Sequence, residues 1–491
     1  MSTSSTSPPL PVYILRGHAA SIHAVRFIRR NSRLLTGDGD GWVILWNLAS
    51  KRPAAVWRPH TAAILGLDCD ADGDAIITHG RDAHLRVWQL RPQDEAALDT
   101  VLPVDDAEAH RKQPWLLHSL LVNTLNFCSF VSCAANKDFF AAAAPPADHP
   151  DADSSAVPDS TLVAVPGVVD GTVAVYGLPS ERRIATVPKA DDLKTGMVMA
   201  LALVSSASTL HLIAGYENGM TAVFALDSRA AANASANANA WQRVYASHPH
   251  AQPLLSLCPL PPDAGVVGPL TYFSSGADDV VARHVVPVSS QSPPSTSPIS
   301  SASMANTPPR TQSQSQPTNP PSLLSTLLSS PSSSSSNPPP HATNAPISPA
   351  PPSPPTQSSH TKHSGQQSLT IRSDGRLLAT AGWDGRARLY STRSLSEVAV
   401  LKWHQEGCYA VDFAEVLDGE VAVSGGAGRE DDAGGETAGA GAGAGAVMRQ
   451  STARGGKGLA RVRRRREERV QGARLVAVGS KDGKVSLWEV F

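Results

Sequence analysis

The sequence predicts an all-β fold, a seven-bladed β-propeller with long disordered loop insertions. Three observations point there. An Asp or Asn stands six residues before an aromatic residue, or its positional equivalent, seven times: Asp40/Trp46, Asp82/Trp88, Asp170/Tyr176, Asn218/Phe224, Asp278/His284, Asp384/Tyr390 and Asp482/Trp488. His18, His60, His118, His250 and His404 each stand seven residues before an apolar residue in a strand-like run. Finally, the run Val12-Tyr13-Ile14-Leu15 precedes the first His without a unit of its own, while the last unit ends three residues after Trp488. An internal repeat of this period decides the architecture before any local reading does.

One unit reads as a His, a strand, a polar turn, a second strand, a tight Asp-Gly turn and a third strand. The tight turn is set by chemistry: Gly accepts φ > 0 and a short Asp or Asn side chain caps the backbone beside it. The first two units are the plainest, with GDGDGWVILW in one and THGRDAHLRVW in the other, and 22 residues from His18 to Asp40 and from His60 to Asp82. His118 is expected to open the third unit and His404 the seventh. The fourth unit has no matching His, and the fifth ends in His284. The units thus end near Trp46, Trp88, Tyr176, Phe224, His284, Tyr390 and Trp488 within one propeller spanning 11–491, behind a disordered tail at 1–10. The N-terminal run is expected to supply the outer strand of the last blade, closing the ring and removing an unpaired edge.

The Gly17-His18 pair and the terminal Trp46, Trp88 and Trp488 resemble the WD-repeat family, whose blades hold four antiparallel strands. The resemblance implies a buried network joining each unit's His, turn Asp and terminal aromatic: His18, Asp40 and Trp46; His60, Asp82 and Trp88; Asp170; Asn218; Asp278; Asp384; His404, Asp482 and Trp488. Such a network is favourable only when every member is satisfied. His18, Asp40 and the nearby Ser21 imitate a catalytic triad, but a nucleophile needs one special site. Residues that recur around the chain are a blade lock instead.

The 491 residues would suggest about three domains on length alone. Setting aside insertions at about 91–113, 137–159, 228–240, 289–366 and 418–470 leaves about 43 residues per unit, as one ring of WD blades requires. Net charge is −1, giving no global attraction for nucleic acid or anionic lipid. The five cysteines (Cys69, Cys128, Cys133, Cys258, Cys408) form no CxxC pair and read as buried thiols of a reducing compartment. No catalytic, cofactor or metal site is expected. The start MSTSSTSPPLPVY has no basic segment before an apolar core, and no apolar run is long enough to span a membrane.

Residues 289–366 are rich in Ser and Pro and cannot bury enough apolar surface to offset chain entropy, so a disordered loop is expected. It holds Ser-Pro or Thr-Pro steps at Ser292, Ser297, Thr307, Ser330, Ser348 and Ser353, candidates for regulation, and an apolar island at Leu323, Leu324, Leu327 and Leu328. Residues 418–470 read as a Gly/Ala linker followed by an Arg-rich loop. Its run Arg463, Arg464, Arg465, Arg466 is a nuclear-import signal, a phosphate-binding patch or a solvated stretch with Glu467 and Glu468 as local partners. No aromatics are interleaved, so sequence-specific nucleic-acid binding is not expected.

Four segments are more particular than the repeat: WLLHSLLVNTLNFCSF (Trp115 to Phe130), GYENG (Gly215 to Gly219), AGWDGRARLY (Ala381 to Tyr390) and the terminal VAVGSKDGKVSLWEV. They resemble the fungal ASTRA-associated protein 1 family and its animal relatives. That resemblance implies a non-catalytic nuclear scaffold of the ASTRA assembly, involved in chromatin remodelling. It also implies links to the co-chaperone machinery that matures phosphatidylinositol-3-kinase-related kinases, with helical-repeat co-chaperones and ring ATPases as partners. Asn123 and Asn126, placed by this reading on a strand of the third unit, are candidate partner-surface residues. The competing reading is a substrate receptor of a cullin-type ubiquitin ligase, which often carries Trp-Asp-x-Arg; Trp88-Gln89-Leu90-Arg91 keeps the Arg and loses the Asp.

Overall fold

A computed structural model describes residues 10–106, 110–123, 128–135, 159–206, 209–227, 241–261, 268–287, 351–417 and 450–491, with side chains of the last stretch from 461. After β1 (Tyr13–Arg16), the strands form seven four-stranded antiparallel sheets. Blade 1 is β2 (Ile22–Ile28), β3 (Arg33–Asp38), β4 (Val43–Asn47) and β5 (Arg52–Trp57). Blade 2 is β6 (Ile64–Cys69), β7 (Ala75–Gly80), β8 (His84–Gln89) and β9 (Trp115–Leu121); blade 3 is β10 (Val131–Ala134), β11 (Thr161–Pro166), β12 (Val173–Leu178) and β13 (Arg183–Val187). Blade 4 is β14 (Val198–Ser205), β15 (Thr209–Tyr216), β16 (Thr221–Asp227) and β17 (Gln242–Ser247); blade 5 is β18 (Leu254–Pro259), β19 (Thr271–Gly276), β20 (Val280–Val285) and β21 (Gln357–His360). Blade 6 is β22 (Gln366–Ile371), β23 (Leu377–Gly382), β24 (Arg386–Ser391) and β25 (Glu397–Lys402). Blade 7 holds β26 (Cys408–Phe413), β27 (Leu475–Ser480) and β28 (Lys484–Glu489), completed by β1.

The second strand of a blade has sheet on both sides and another blade against each face. It therefore reads as a continuous apolar run rather than an alternation. Every residue of β3, β19, β23 and β27 is buried, including the small residues of LVAVGS in β27.

The ring closes on its own N-terminus, as the sequence predicts. β1 pairs antiparallel with β28, Tyr13 opposite Leu487 and Arg16 opposite Lys484, and the Val12 N–H adds a bond to Leu487 O at 2.7 Å. Leu15, 2% exposed, joins Ile22, Trp46, Ala477 and Leu487 in a core shared by blades 7 and 1. Neighbouring blades are also tied by polar bonds near the axis: the Phe27 N–H donates to Asp412 Oδ2 (2.8 Å), and Arg26 lies 3.2 Å from Asp68 and 3.8 Å from Asp412.

Three boundaries differ from the sequence reading. Trp115–Leu121 does not begin the third unit; it is the outer strand of blade 2, with His118 opposite Val87. The insertion after β20 ends before 366, because Gln357–His360 is β21, the fourth strand of blade 5. An outer strand needs only backbone pairing on one side, so its polar Gln-Ser-Ser-His text gave no signal. Finally, the Arg run is not a loop: Gln450–Gln471 is a helix, α1. Arg, Glu, Ala, Leu and Gln are good helix formers, and Arg463–Glu467 (3.4 Å) and Arg464–Glu468 (2.8 Å) pair at i,i+4. Its end is anchored where the Asn31 amide donates to Gln471 O (3.1 Å) and Val470 packs on the blade 7–1 core. The Gly/Ala stretch before α1, the tail 1–9, the Leu323 to Leu328 island and five of the six proline-directed steps lie outside the described residues; Ser353 is exposed, its N–H bonded to Ala246 O at 2.8 Å.

All five insertions connect either the first strand of a blade to the second or the third to the fourth. In an antiparallel blade these two connections lie at the same end, so every insertion springs from one face of the ring. The 91–113 insertion folds back on blade 1: the Val56 N–H bonds Asp99 O (2.8 Å), and Arg33 makes a forked pair with Glu95 at 2.9–3.2 Å.

Truncating the clasp's buried anchor tests its worth. Leu15→Ala is expected to cost about 2–5 kcal/mol in urea denaturation, whereas Val12→Ala, at a half-exposed position, is expected to stay within about 0.5 kcal/mol of the parent.

Candidate functional site

The polar groups that recur between strands form a directional relay. In blade 2 the Trp88 indole N–H donates to Thr78 Oγ1 (3.0 Å), the Thr78 hydroxyl meets His60 Nε2 (2.8 Å), and His60 Nδ1 meets Asp82 Oδ1 (2.8 Å). A carboxylate can only accept, so Nδ1 carries the hydrogen and Nε2 accepts from the hydroxyl. Every member is then satisfied. Burial lowers the His60 pKa against the pull of Asp82. Burial also opposes ionisation of Asp82, but bonds from His60, Arg86 and the Thr61 N–H outweigh it and hold the carboxyl well below its usual range.

Blade 1 repeats the relay through Trp46, Thr36 and His18 at 2.9 and 2.7 Å, but its carboxylate is Asp38, not Asp40. The sequence spacing selected the wrong member of Asp38-Gly39-Asp40-Gly41. Asp38 ends β3 and points inward; one oxygen meets His18 Nδ1 (2.7 Å), and the other accepts the Asp40 and Trp42 N–H groups (3.0 and 2.9 Å). Asp40 is left exposed on the turn. Gly41 is obligatory there: its φ is +85°, and a Cβ would lie 2.1 Å from His60 O.

Blade 5, whose unit looked most divergent, has a complete relay. His250 joins Asp278 and Ser274, each at 2.9 Å, and His284 replaces the indole, its Nε2 3.0 Å from Ser274 Oγ. Tyr245 O–H lies 3.1 Å from His284 Nδ1, so the ring donates at Nε2 and accepts at Nδ1. Burial brings the His284 pKa down to about 3. In blade 7, Trp488 and His404 share Ser486 Oγ, each at 2.8 Å, but Asp482 stands 3.6 Å from His404 Nδ1 while Lys484 takes its carboxylate at 2.8 Å. In blade 6, buried Arg388 grips Asp384 through two bonds of 3.1 and 2.5 Å.

Blades 3 and 4 hold no His-centred relay among the described residues. Asp170 is exposed beside Gly171. Asn218 serves its own turn, accepting the Met220 N–H (3.1 Å) and donating to Lys194 O (3.2 Å). His118 is an outer-strand residue paired with Glu181 at 2.8 Å. Asn123 lies outside any strand, its amide donating to Gly167 O at 2.5 Å, and Asn126 lies outside the described residues. The sequence reading missed Thr36, Thr78, Ser274 and Ser486, the hydroxyls at the centre of each relay. Those on the second strand stand ten residues before the terminal aromatic, a spacing that could have found them. Arg463, Arg464, Arg465 and Arg466 are exposed on α1.

Chemically the relay holds strands together and offers nothing to a substrate, being buried in every blade that has it. No group of three or more His, Cys, Asp or Glu residues among the described residues could hold a metal ion. Burial pushes the thiols of Cys69, Cys133 and Cys408 up to about 12 and that of Cys258 to about 11, far from a thiolate at neutral pH.

Two outcomes check this geometry. Asp38→Ala is expected to destabilise by about 1–3 kcal/mol, because it strands buried donors, while Asp40→Ala stays within about 0.5 kcal/mol; chemical denaturation of both variants separates the two carboxylates. His284 has a folded pKa below its unfolded value, so it favours the folded state above about pH 6.5. That contribution falls away as pH drops from about 6.5 towards about 3. Thermal melting between pH 7.5 and 4.5 should therefore show a smaller acid-induced loss in His284→Gln, whose amide can donate to Ser274 and accept from Tyr245 without titrating.

The WD domain, G-beta repeat family matches residues 10–47 and 355–391, covering the clasp with the first three strands of blade 1 and parts of blades 5 and 6. The chain is 37% identical to ASTRA-associated protein 1 of Penicillium rubens, over 99% of this chain and 98% of that protein. It is 39% identical to ASTRA-associated protein 1 of Verticillium alfalfae, over 100% and 95%. The likeness persists at 30% identity to the Schizosaccharomyces pombe protein of that name, over 82% and 93%. With its seven-bladed ring and its near end-to-end similarity to these proteins, the chain belongs to the ASTRA-associated protein 1 family.

Proposed function

We propose that this chain is a non-catalytic WD-repeat scaffold subunit of the ASTRA complex. The observation that carries the reading is similarity spanning almost the whole chain to proteins named for association with that complex. The chemistry supports it: recurring polar groups lock blades, the cysteine thiols are masked by burial, and a rigid ring presents much surface. Propellers of this kind act through the proteins they hold.

The finer reading is a nuclear role in chromatin remodelling, joined to co-chaperone assembly of phosphatidylinositol-3-kinase-related kinases. Helical-repeat co-chaperones and ring ATPases are then the partners, and the exposed arginines of α1 are the nuclear-import element. Affinity purification of the tagged full-length chain should recover the other ASTRA subunits with both partner classes; recovery of none removes the assembly reading. Imaging of an Arg463/Arg464/Arg465/Arg466→Ala variant should show a shift from nucleus to cytoplasm, and unchanged nuclear signal removes the import role.

A further inference from the structure

An outer blade strand leaves one row of backbone N–H and C=O groups unpaired, a template for another strand. Proteins protect such edges with charges, prolines or covering loops. This ring follows that rule with one exception. Arg16 lies on β1, Arg52 on β5, Arg183 on β13, Arg243 on β17, and Glu397 with Lys402 on β25, while β21 is polar throughout. β9 reads WLLHSLL, with no Arg, Lys, Asp or Glu, and only Leu120 among its seven residues is buried.

The exposure is large. Trp115 and Leu121 are each 74% exposed at the two ends of the strand, with Leu117 at 40% between them. Leu117 falls at the register shift opposite Val87 and Trp88, where the strand bulges away from β8. β9 ends its sheet, and no further strand pairs with it among the described residues. Four leucines and a tryptophan on an unpaired edge are a liability unless something covers them.

The charges around the strand say what that occupant carries. Lys112 is exposed three residues before Trp115. On the blade 3 side, the Glu181 carboxylate is engaged by His118 (2.8 Å), and the next two residues, Arg182 and Arg183, are exposed. The apolar edge is thus flanked by exposed cations, and the Glu181 carboxylate beside it is already engaged by His118. We propose that β9 is a docking edge for an extended segment of a partner protein, which adds a fifth strand to blade 2. The segment has apolar residues on both of its faces, meeting Leu116 and Leu121 on one face of the sheet and Trp115 on the other, and Asp or Glu residues at its flank facing Lys112, Arg182 and Arg183. Backbone pairing supplies the affinity and the alternate side chains the selectivity. This names a surface for the assembly role proposed above and rests on it.

The test uses the full-length chain in its native assembly. Leu117→Lys/Leu121→Lys places on β9 the kind of charge the other edges carry, at exposed positions. Its melting temperature should match the parent, while recovery of ASTRA subunits falls at least tenfold. In parallel, p-benzoylphenylalanine in place of Leu117 is photo-activated and the cross-linked peptide sequenced. The expected product is an extended partner segment with apolar residues on both of its faces and carboxylates at its flank. Undiminished recovery by a normally folded double variant would overturn the proposal. So would a cross-link to a helical segment, to residues 136–158 of the same chain or to β9 of a second copy. If the parent chain itself recovers no ASTRA subunit, the assembly reading fails, and the strand proposal is then decided by the cross-linked sequence alone.

Discussion

A ring of sheets is stable only if it closes, because each blade buries its faces against two neighbours. Here closure rests on the pairing of β1 with β28 and on Leu15 beneath it. Without that strand, blade 7 would present β28 as an edge, and the core it shares with blade 1 would lose its cover. The Phe27–Asp412 bond and the Arg26 ion pairs cross the same seam and its neighbour, so the place where the chain could come apart is also heavily cross-tied. Burial raises the Asp412 pKa, with Arg26 opposing it; the carboxylate is kept in place by the company it has at the axis.

The relay within blades solves a different problem. A four-stranded sheet with apolar faces can slip in register, and a slip of one residue inverts every side chain. An indole, a hydroxyl, an imidazole and a carboxylate that must meet in sequence allow one register only. The parts vary while the logic is kept: Thr in blades 1 and 2, Ser in blades 5 and 7, and His284 for the indole in blade 5. What is required is a donor of the right reach at the end of the third strand, not a particular ring. Blade 6 keeps a charged pair, Arg388 with Asp384, without the imidazole.

Most of this architecture was legible in the sequence because turn chemistry and terminal aromatics recur at fixed spacing, and because an orphan strand at one end matched a vacancy at the other. Legibility failed where a signal was doubled, weak or irrelevant to pairing. Two Asp-Gly steps in series hid which carboxylate faces inward, and only the fold shows that Asp38 does. β9 and β21 were misread because an outer strand is held by its backbone, leaving side chains free to be leucines in one case and serines in the other. Helix α1 was concealed by the Gly/Ala text before it, which reads as linker, so Glu467 and Glu468 were counted as neutralising charge and not as i,i+4 partners of Arg463 and Arg464. Nothing in the text marked Asn123 as a loop residue bonded to Gly167, since that contact joins two blades.

The insertions carry a consequence of their own. Because each interrupts the first or the third connection of its blade, all five leave and rejoin the ring at one end of the strands. The ring is therefore wired asymmetrically, with every one of these five splices made at the same rim. A spliced segment of this kind can change length at small entropic cost without disturbing the register that the blades enforce.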